Sequence, residues 1–377
     1  MTEKFKVFVA GTSGAGKTAF LASMYNRMSA ELQELGFYLE TSPNGANFLI
    51  KEYQELVNPD KPWPPGTVDV TEWDFSCRNF ARQQALFDFS YLDFPGGFIT
   101  DSDGLQQAEE FNISQKVQDA NSLLFLIDGQ KVHYFMEDIE PPVGHSLLID
   151  IDFLVSLAMR ANVDVPIHFV LTKWDILDGV FTLESIKEKL LSIPKLKTLI
   201  GTRRRAELPT RLIPVSAFGK GFATLDKSGR MVKNKTSNIP SPFQVELSIA
   251  CTLIDGFRVA HQLMDRKKVE HNGSGIAFFA FILKSITLIF RVVGFGARNL
   301  NSAFPGPYQL GSSACSVLLK SVTRRLELKS EEIDVEITEV RRCLENEESA
   351  LNTAIRNCDL LSLSLERDYP ASNLTNL

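Results

Sequence analysis

The chain has 377 residues, of which 44% are hydrophobic, and its formal net charge is −6 at pH 7. This length suffices for one large or two modest domains with a full hydrophobic core. The acidic balance argues against broad nucleic-acid binding, which calls for a basic face, so we expect no nucleic-acid partner.

The cysteines indicate the compartment. Five of them are spread along the chain without a Cys-x-x-Cys pair. This usage is typical of a reducing cytosol and argues against a disulfide framework or a zinc site. The first predicted strand begins almost directly after Met1, which leaves no room for a cleavable signal. We therefore expect a cytoplasmic location.

The first chemical motif lies between a predicted strand at residues 5–10 and a predicted helix at residues 19–35, and it fits the pattern G-x-x-x-x-G-K-[ST]. Its glycines let backbone N–H groups turn towards phosphate oxygens, and the helix N-terminus adds partial positive charge. Lys17 is predicted to reach the β- and γ-phosphates, and the Thr18 hydroxyl to bind Mg²⁺. The predicted phosphate-binding residues are Gly11, Ser13, Gly14, Ala15, Gly16, Lys17 and Thr18.

A second motif, Asp93-Phe94-Pro95-Gly96, ends the predicted strand at residues 85–93. Asp93 therefore lies at a carboxyl end, the edge where open α/β sheets bind ligands, and we expect it to hold Mg²⁺ through water. The Gly96 N–H can bond to a γ-phosphate, which would make the loop after it sensitive to that phosphate.

A third motif indicates which base is bound. Thr172-Lys173-Trp174-Asp175 follows an apolar run at residues 166–171. Asp175 can accept hydrogen bonds from guanine N1–H and the exocyclic amine, and adenine cannot donate the same pair. The Lys173 stem can lie against the base. Ser216-Ala217, after a strand at residues 211–215, can offer a backbone N–H to guanine O6.

The remaining pattern predicts a mostly parallel, six-stranded sheet with helices on both faces. We expect the second strand to run antiparallel at the edge of the sheet. The segments at residues 36–66, 129–145 and 219–242 are predicted as long loops, the first facing a partner and the third mobile. The predicted strands cover residues 5–10, 70–78, 85–93, 122–128, 165–171 and 211–215, and later helices 105–119, 146–161, 183–200 and 242–268.

In this order, the motifs resemble those of P-loop GTPases of the Ras-like and translation-factor-related (TRAFAC) class, over residues 4–268. Within that class, the long segment between the first motif and the second strand, which includes the turn Pro64-Pro65-Gly66-Thr67, looks similar to that of bacterial double-GTPase-type proteins. The resemblance implies an α/β three-layer sandwich, hydrolysis of GTP to GDP with Mg²⁺, and a first-switch threonine that binds Mg²⁺ and senses the γ-phosphate. Thr67 and Thr71 are candidates, and we prefer Thr67 because the turn can present it. The implied catalytic residues are Lys17, Thr67, Asp93 and Gly96, and the implied metal-binding residues are Thr18, Thr67 and Asp93.

One residue departs from the family's pattern. Many relatives carry a glutamine directly after Asp-x-x-Gly that orients the attacking water, whereas this chain has Gly97. We therefore expect slow hydrolysis until an activating partner, self-association or an acid such as Asp101 or Asp103 assists.

The chain changes character after residue 268, so we predict a GTP-binding domain at residues 1–268 and an all-helical region at 269–377. The apolar segment at residues 275–290 is too short for a membrane span. It fits a buried helix, a membrane-surface anchor or an oligomer contact. Residues 331–367 have the pattern of a long amphipathic helix, suited to intramolecular packing or to a coiled coil.

Three functional hypotheses follow. The favoured one is a molecular switch whose switch loops and helical region engage an unidentified effector or activating protein. The second is a dynamin-like GTPase at the membrane surface that self-associates through its helices. The third is a scaffold stabilised by nucleotide with little turnover.

Overall fold

The computed structural model describes residues 5–30, 35–64, 71–78, 85–93, 113–139, 146–226, 229–234, 239–267 and 354–375. Predictions that concern Thr67, Gly96, Gly97 and the segment at residues 275–290 lie outside these ranges. Strands in the described part are β1 Phe5–Gly11, β2 Tyr38–Glu40, β3 Thr71–Arg78, β4 Ala85–Asp93, β5 Ser122–Ile127, β6 Ile167–Leu171, β7 Thr210–Pro214, β8 Ala223–Leu225 and β9 Met231–Lys233.

Seven strands form one mostly parallel sheet in the order β2-β3-β4-β1-β5-β6-β7. β1 lies between β4 and β5 and runs parallel to both, and β5, β6 and β7 continue in parallel. Every residue of β5 is buried, as expected for a central parallel strand covered on both faces. β3 runs antiparallel to β4, as the sequence predicts, but it is not the edge strand, because β2 pairs with its other side.

The prediction of six strands was wrong by one, because β2 lies in a segment predicted as a loop. β2 has only three residues and pairs with β3 through Tyr38 and Arg78 at one end and Glu40 and Ser76 at the other. Three residues are too few to display the alternation that identifies a strand. The partner strand, and not the local pattern, determines its conformation.

Helices in the described part are α1 Lys17–Met28, α2 Pro43–Val57, α3 Ile113–Gln118, α4 Gly129–Met136, α5 Leu147–Ala158, α6 Leu183–Leu191, α7 Pro194–Arg205, α8 Val245–Lys267 and α9 at residues 354–368. α2 and α4 lie in segments predicted as loops. α2 has two start signals, since the Ser42 hydroxyl accepts a hydrogen bond from the Gly45 N–H at 3.2 Å and Pro43 occupies its first turn. The single helix predicted at 183–200 is divided before Pro194.

Two hydrophobic clusters cover the faces of the sheet and make the architecture three-layered. Along β1, Val7 and Val9 belong to one cluster and Phe8 and Ala10 to the other. The first cluster joins the sheet to α1, α8 and α9, and the second joins it to α3, α5, α6 and α7. This alternation is the period-2 pattern of a strand buried on both faces.

The C-terminal segment packs into the first cluster through Ala354, Cys358 and Leu365. The chain then reaches the sheet edge, where the Leu374 N–H donates to the Thr210 carbonyl oxygen at 2.9 Å. Of the long amphipathic helix predicted at residues 331–367, the structure describes only residues 354–367, and these are helical. The division after residue 268 remains a prediction.

A buried charge network connects this segment to the sheet. The Arg211 guanidinium donates to Asp255 Oδ1 on α8 at 2.9 Å and to Glu366 Oε1 on α9 at 2.6 Å. His168 Nε2 lies 3.1 Å from Asp255 Oδ2. Burial by itself raises the pKa of Asp255, but the Arg211 guanidinium and the His168 hydrogen bond outweigh it and hold that pKa well below its usual range.

Within the described ranges, no helix is long and apolar enough to cross a membrane.

Candidate functional site

The loop between β1 and α1 has the backbone shape that its glycines permit. Gly14 and Gly16 have φ values of 84° and 79°, a region that side chains with a Cβ rarely occupy. α1 begins at Lys17 directly after this turn. The Lys17 ammonium folds back and donates to the Gly11 carbonyl oxygen at 2.8 Å, and it is almost fully buried. The helix N-terminus and a lysine thus converge on one loop.

The hydroxyl of Thr172, in the third motif, holds this loop in position. Thr172 Oγ1 lies 2.9 Å from the Ala15 carbonyl oxygen and 3.0 Å from that of Ile127 at the end of β5. The backbone at Gly129 also packs closely against Thr172. A Cβ at Gly129 would lie 2.2 Å from the Thr172 carbonyl oxygen. The predicted phosphate loop, residues 11–18, and the predicted base-recognition motif are therefore directly connected.

A buried ion pair supports the loop from the other face. Thr12 Oγ1 donates to Asp150 Oδ2 on α5 at 2.6 Å, and Lys131 Nζ on α4 donates to Asp150 Oδ1 at 2.9 Å. Burial raises the pKa of Asp150, while its hydrogen bonds with Lys131 and Thr12 oppose that rise. Thr12 matched only a variable position of the sequence motif, so its role as an anchor comes from the fold.

At the other end of the candidate site, two residues that follow neighbouring strands form a hydrogen-bonded pair. Ser216 Oγ donates to Asp175 Oδ1 at 2.6 Å and accepts from the Gly219 N–H at 2.9 Å. Burial raises the pKa of Asp175, and the hydrogen bond from Ser216 and the charge of Lys173 lower it in part. The carboxylate is therefore oriented and partly desolvated, as a recognition group for donor N–H groups should be.

Lys173 has a left-handed backbone, with φ 53°, and its ammonium forms an ion pair with Asp128 Oδ1 at 2.7 Å. Asp128 also caps α4 by accepting from the Gln130 N–H at 2.9 Å. Asp128 is buried, so this pair fixes the end of the lysine and leaves its aliphatic stem to form a wall of the site.

These stretches of sequence line one pocket of about 510 Å³. Lys17 and Thr18 lie on its wall together with Lys173, Asp175 and Ser216. The predicted nucleotide-binding residues on the wall are Ser13, Gly14, Gly16, Lys17, Thr18, Thr172, Lys173, Asp175, Ser216 and Ala217. Gly11 and Ala15 belong to the same loop but do not line the pocket; they contact it through the Gly11–Lys17 and Ala15–Thr172 hydrogen bonds.

The sheet register brings part of the predicted metal site to the same edge. Asp93 pairs with Val9 of β1, just before the phosphate loop, and with Thr71 of β3. Thr18 supplies a hydroxyl from the pocket wall. Oxygen donors of this kind suit Mg²⁺, so these residues fit the ion. Among the residues that the structure describes, no group of three or more His, Cys, Asp or Glu side chains could hold another metal.

Sequence analysis missed several residues of the pocket. Gln130 lines the pocket about one helical turn after β5. Ligands of open α/β sheets bind at the carboxyl ends of the strands, and this rule would have indicated Gln130. Trp63, Phe222 and Arg230 come from segments predicted as loops, Phe218 directly follows the Ser216-Ala217 motif, and no local pattern marks any of them. Phe218 and Phe222 pack together at a ring-centroid distance of 4.8 Å, and Trp63 packs on both.

No family model matches the chain, and no curated protein matches it. Among solved structures, one similarity is to the signal recognition particle receptor SRb-GTP/SRX complex from Chaetomium thermophilum, at a TM-score of 0.37 and 15% identity, covering 59% of this chain and 94% of that one. Another is to the mammalian SRP receptor, at a TM-score of 0.31 and 14% identity, covering 56% and 91%. Overlaps of this extent carry no conclusion about function.

Proposed function

We propose that the protein binds guanine nucleotides and hydrolyses GTP to GDP and phosphate. One observation carries the proposal: Lys17 and Asp175, far apart in the sequence, line the same pocket. A loop that binds phosphates at one end and a carboxylate that accepts from guanine at the other fit the two ends of a single nucleotide.

Each residue has a defined part in this proposal. Lys17 and the N–H groups of the phosphate loop hold the β- and γ-phosphates and stabilise the negative charge that develops on transfer. Thr18 and Asp93 hold Mg²⁺, which neutralises charge on the phosphate oxygens. Asp175, oriented by Ser216, selects guanine, and Lys173 covers one side of the base.

The finer assignments belong to the same proposal. They are membership of the TRAFAC class near the double-GTPase-type proteins, a switch role with an effector or activating protein, first-switch and γ-phosphate contacts from Thr67 and Gly96, and a cytoplasmic location. The strand ends of the seven-stranded sheet bring the predicted phosphate loop, Asp93 and Asp175 to one edge, which supports the nucleotide site itself. The class, the switch role, the contacts of Thr67 and Gly96 and the cytoplasmic location rest on the sequence alone.

Titration of fluorescent GDP, GTP, ADP and ATP analogues onto the purified full chain tests the binding. We expect guanine nucleotides to bind at least about a hundredfold more tightly than adenine nucleotides, because adenine leaves the Asp175 carboxylate without its two donors. Lys17→Ala should weaken the binding of all four nucleotides, and Asp175→Asn should weaken the binding of the guanine nucleotides alone. Equal affinity for ATP and GTP would overturn the proposal.

Hydrolysis is tested separately, in single-turnover reactions at two protein concentrations. Since Gly97 replaces the water-orienting glutamine of many relatives, we expect slow turnover for the chain alone. A rate that rises with protein concentration would indicate self-association. Fast hydrolysis that is independent of concentration would contradict a requirement for a partner.

A further inference from the structure

The β8–β9 hairpin lines part of the pocket. It follows the Ser216-Ala217 motif in the chain, and its two strands pair from Ala223 with Lys233 to Leu225 with Met231. We call the described residues 222–226 and 229–234 the base-side hairpin. Phe222, Ala223, Arg230 and Met231 of this hairpin line the pocket. Phe222 packs on Phe218 at a ring-centroid distance of 4.8 Å, and Phe218 directly follows Ala217, so we place the hairpin at the proposed base end of the pocket.

On one side, the hairpin is bound to the segment that follows α2. The Trp63 indole N–H donates to the Met231 carbonyl oxygen at 2.9 Å. Lys233 Nζ lies 4.7 Å from the Trp63 ring centroid and donates to the Asn58 carbonyl oxygen at 2.9 Å. The Trp63 ring also packs on Phe218, at a centroid distance of 5.9 Å. Trp63 thus joins the hairpin to the residue that directly follows Ala217.

On the other side, the hairpin is bound to α4. The Gly229 carbonyl oxygen accepts from Gln130 Nε2 and, at 3.0 Å, from the Tyr134 hydroxyl. Gln130 Oε1 lies 3.5 Å from Lys173 Nζ, so one amide connects the hairpin to the lysine of the guanine motif. Gly229 has φ +76°, and a Cβ there would lie 1.9 Å from Tyr134 Oη. Only glycine permits this approach.

We infer that the base-side hairpin, held by Trp63 on one side and by α4 on the other, retains the bound nucleotide. This inference rests on the proposed function. A base that leaves between the hairpin and Phe218 would separate Trp63 from Phe218 and break the hydrogen bonds that hold the hairpin. Loosening the hairpin on either side would therefore speed release.

The rate of GDP release tests the inference, measured on the full chain by stopped-flow displacement of a fluorescent GDP with excess unlabelled GDP. Gly229→Ala places a Cβ 1.9 Å from Tyr134 Oη at a positive φ, so the Tyr134 hydroxyl must move and its hydrogen bond to the hairpin is lost. Trp63→Ala removes the hydrogen bond to Met231 on the other side. We expect each variant to release GDP about tenfold faster, because aromatic packing and a hydrogen bond are lost.

Two matched variants control for local damage. Gly179→Ala places a Cβ at a similar φ, +82°, where the nearest atom is 3.8 Å away, so it carries the backbone strain without the clash. Trp73→Phe alters a tryptophan that packs on Phe48 outside the pocket. Both should release GDP within about twofold of the wild-type rate.

Trp63→Phe keeps an aromatic ring and loses only the donor to Met231, so it covers the case in which Trp63→Ala does not fold. We expect release about threefold faster for this variant. Unchanged release in Gly229→Ala and Trp63→Phe, with thermal melts that show folded protein, would overturn the inference and leave the proposed function intact. A wild-type chain that binds no guanine nucleotide would instead overturn the proposed function.

Discussion

Ser216 Oγ donates a 2.6 Å hydrogen bond to Oδ1 of Asp175, a residue 41 positions earlier in the chain. Asp175 follows β6 and Ser216 follows β7, and these strands run parallel with Leu171 opposite Pro214. The register of two neighbouring strands therefore brings the two side chains together. This pair orients the carboxylate on which the proposed choice of base depends.

We predict that Ser216→Ala lowers the affinity for GDP about tenfold, because Asp175 loses the donor that orients it. Titration with fluorescent GDP measures the effect. Ser156→Ala is a suitable control, since the Ser156 hydroxyl is exposed and donates only to the Phe153 carbonyl oxygen of its own helix. Unchanged GDP affinity in Ser216→Ala would show that the orientation of Asp175 does not depend on this hydroxyl.

The affinity for GDP should also depend on pH through Asp175. The base is recognised by the ionised carboxylate, and burial raises the pKa of Asp175, so its protonation begins at a higher pH than for an exposed aspartate. We therefore expect GDP affinity to fall as the pH is lowered from 7 to 5. Because the phosphates also titrate, the measurement compares wild type with Asp175→Asn, which should show a shallower slope. Equal slopes would contradict the prediction.

The buried pair behind the phosphate loop makes a prediction about stability. Lys131→Met leaves the Asp150 carboxyl buried without its ammonium partner, and we expect this change to lower the free energy of unfolding by about 3 kcal/mol. Urea denaturation measures it. The double variant Lys131→Met/Asp150→Leu removes both charges and should recover most of the loss. A double variant less stable than Lys131→Met would show that the Thr12–Asp150 hydrogen bond matters more than the ion pair.

The charge network that attaches α9 should make the protein sensitive to acid. The pKa of Asp255 is lower in the folded protein than in the unfolded chain, so its ionisation stabilises the fold above the unfolded pKa, about 4, and this contribution is lost as the pH falls below that value. Asp255→Asn should cost about 3 kcal/mol at pH 7.

Thermal or urea unfolding of wild type and Asp255→Asn between pH 7 and pH 2 tests this role of Asp255. Wild type should lose stability more steeply than Asp255→Asn below about pH 4, since the variant has already lost the contribution that protonation removes. Asp359→Asn, which alters a half-exposed partner of Arg258 in the same network, should cost less than about 1 kcal/mol at pH 7. Parallel pH profiles for wild type and Asp255→Asn would contradict this role for Asp255.

The sequence predicted the long elements because their patterns are local. β1 and β5 are apolar runs, and the glycines before Lys17 mark a turn that only such residues adopt readily. The motifs then placed Gly16, Asp93 and Asp175 at the carboxyl ends of three different strands, β1, β4 and β6. Parallel strands end at the same edge, so the location of the candidate site followed from the sequence by itself.

Other features are contacts between distant segments, and no local pattern determines those. β2 exists because β3 pairs with it, and the base-side hairpin is held by Trp63 on one side and Gln130 on the other. Thr12 becomes an anchor only because α5 places Asp150 beside it. The amino-acid sequence by itself determined the glycine-rich turn before Lys17, the place of the Asp175 carboxylate after a strand and the layered α/β class, since these depend on residue type and short-range periodicity. Tertiary structure alone decided what orients and encloses them, because those contacts depend on strand register and on side chains that meet only after the sheet has formed.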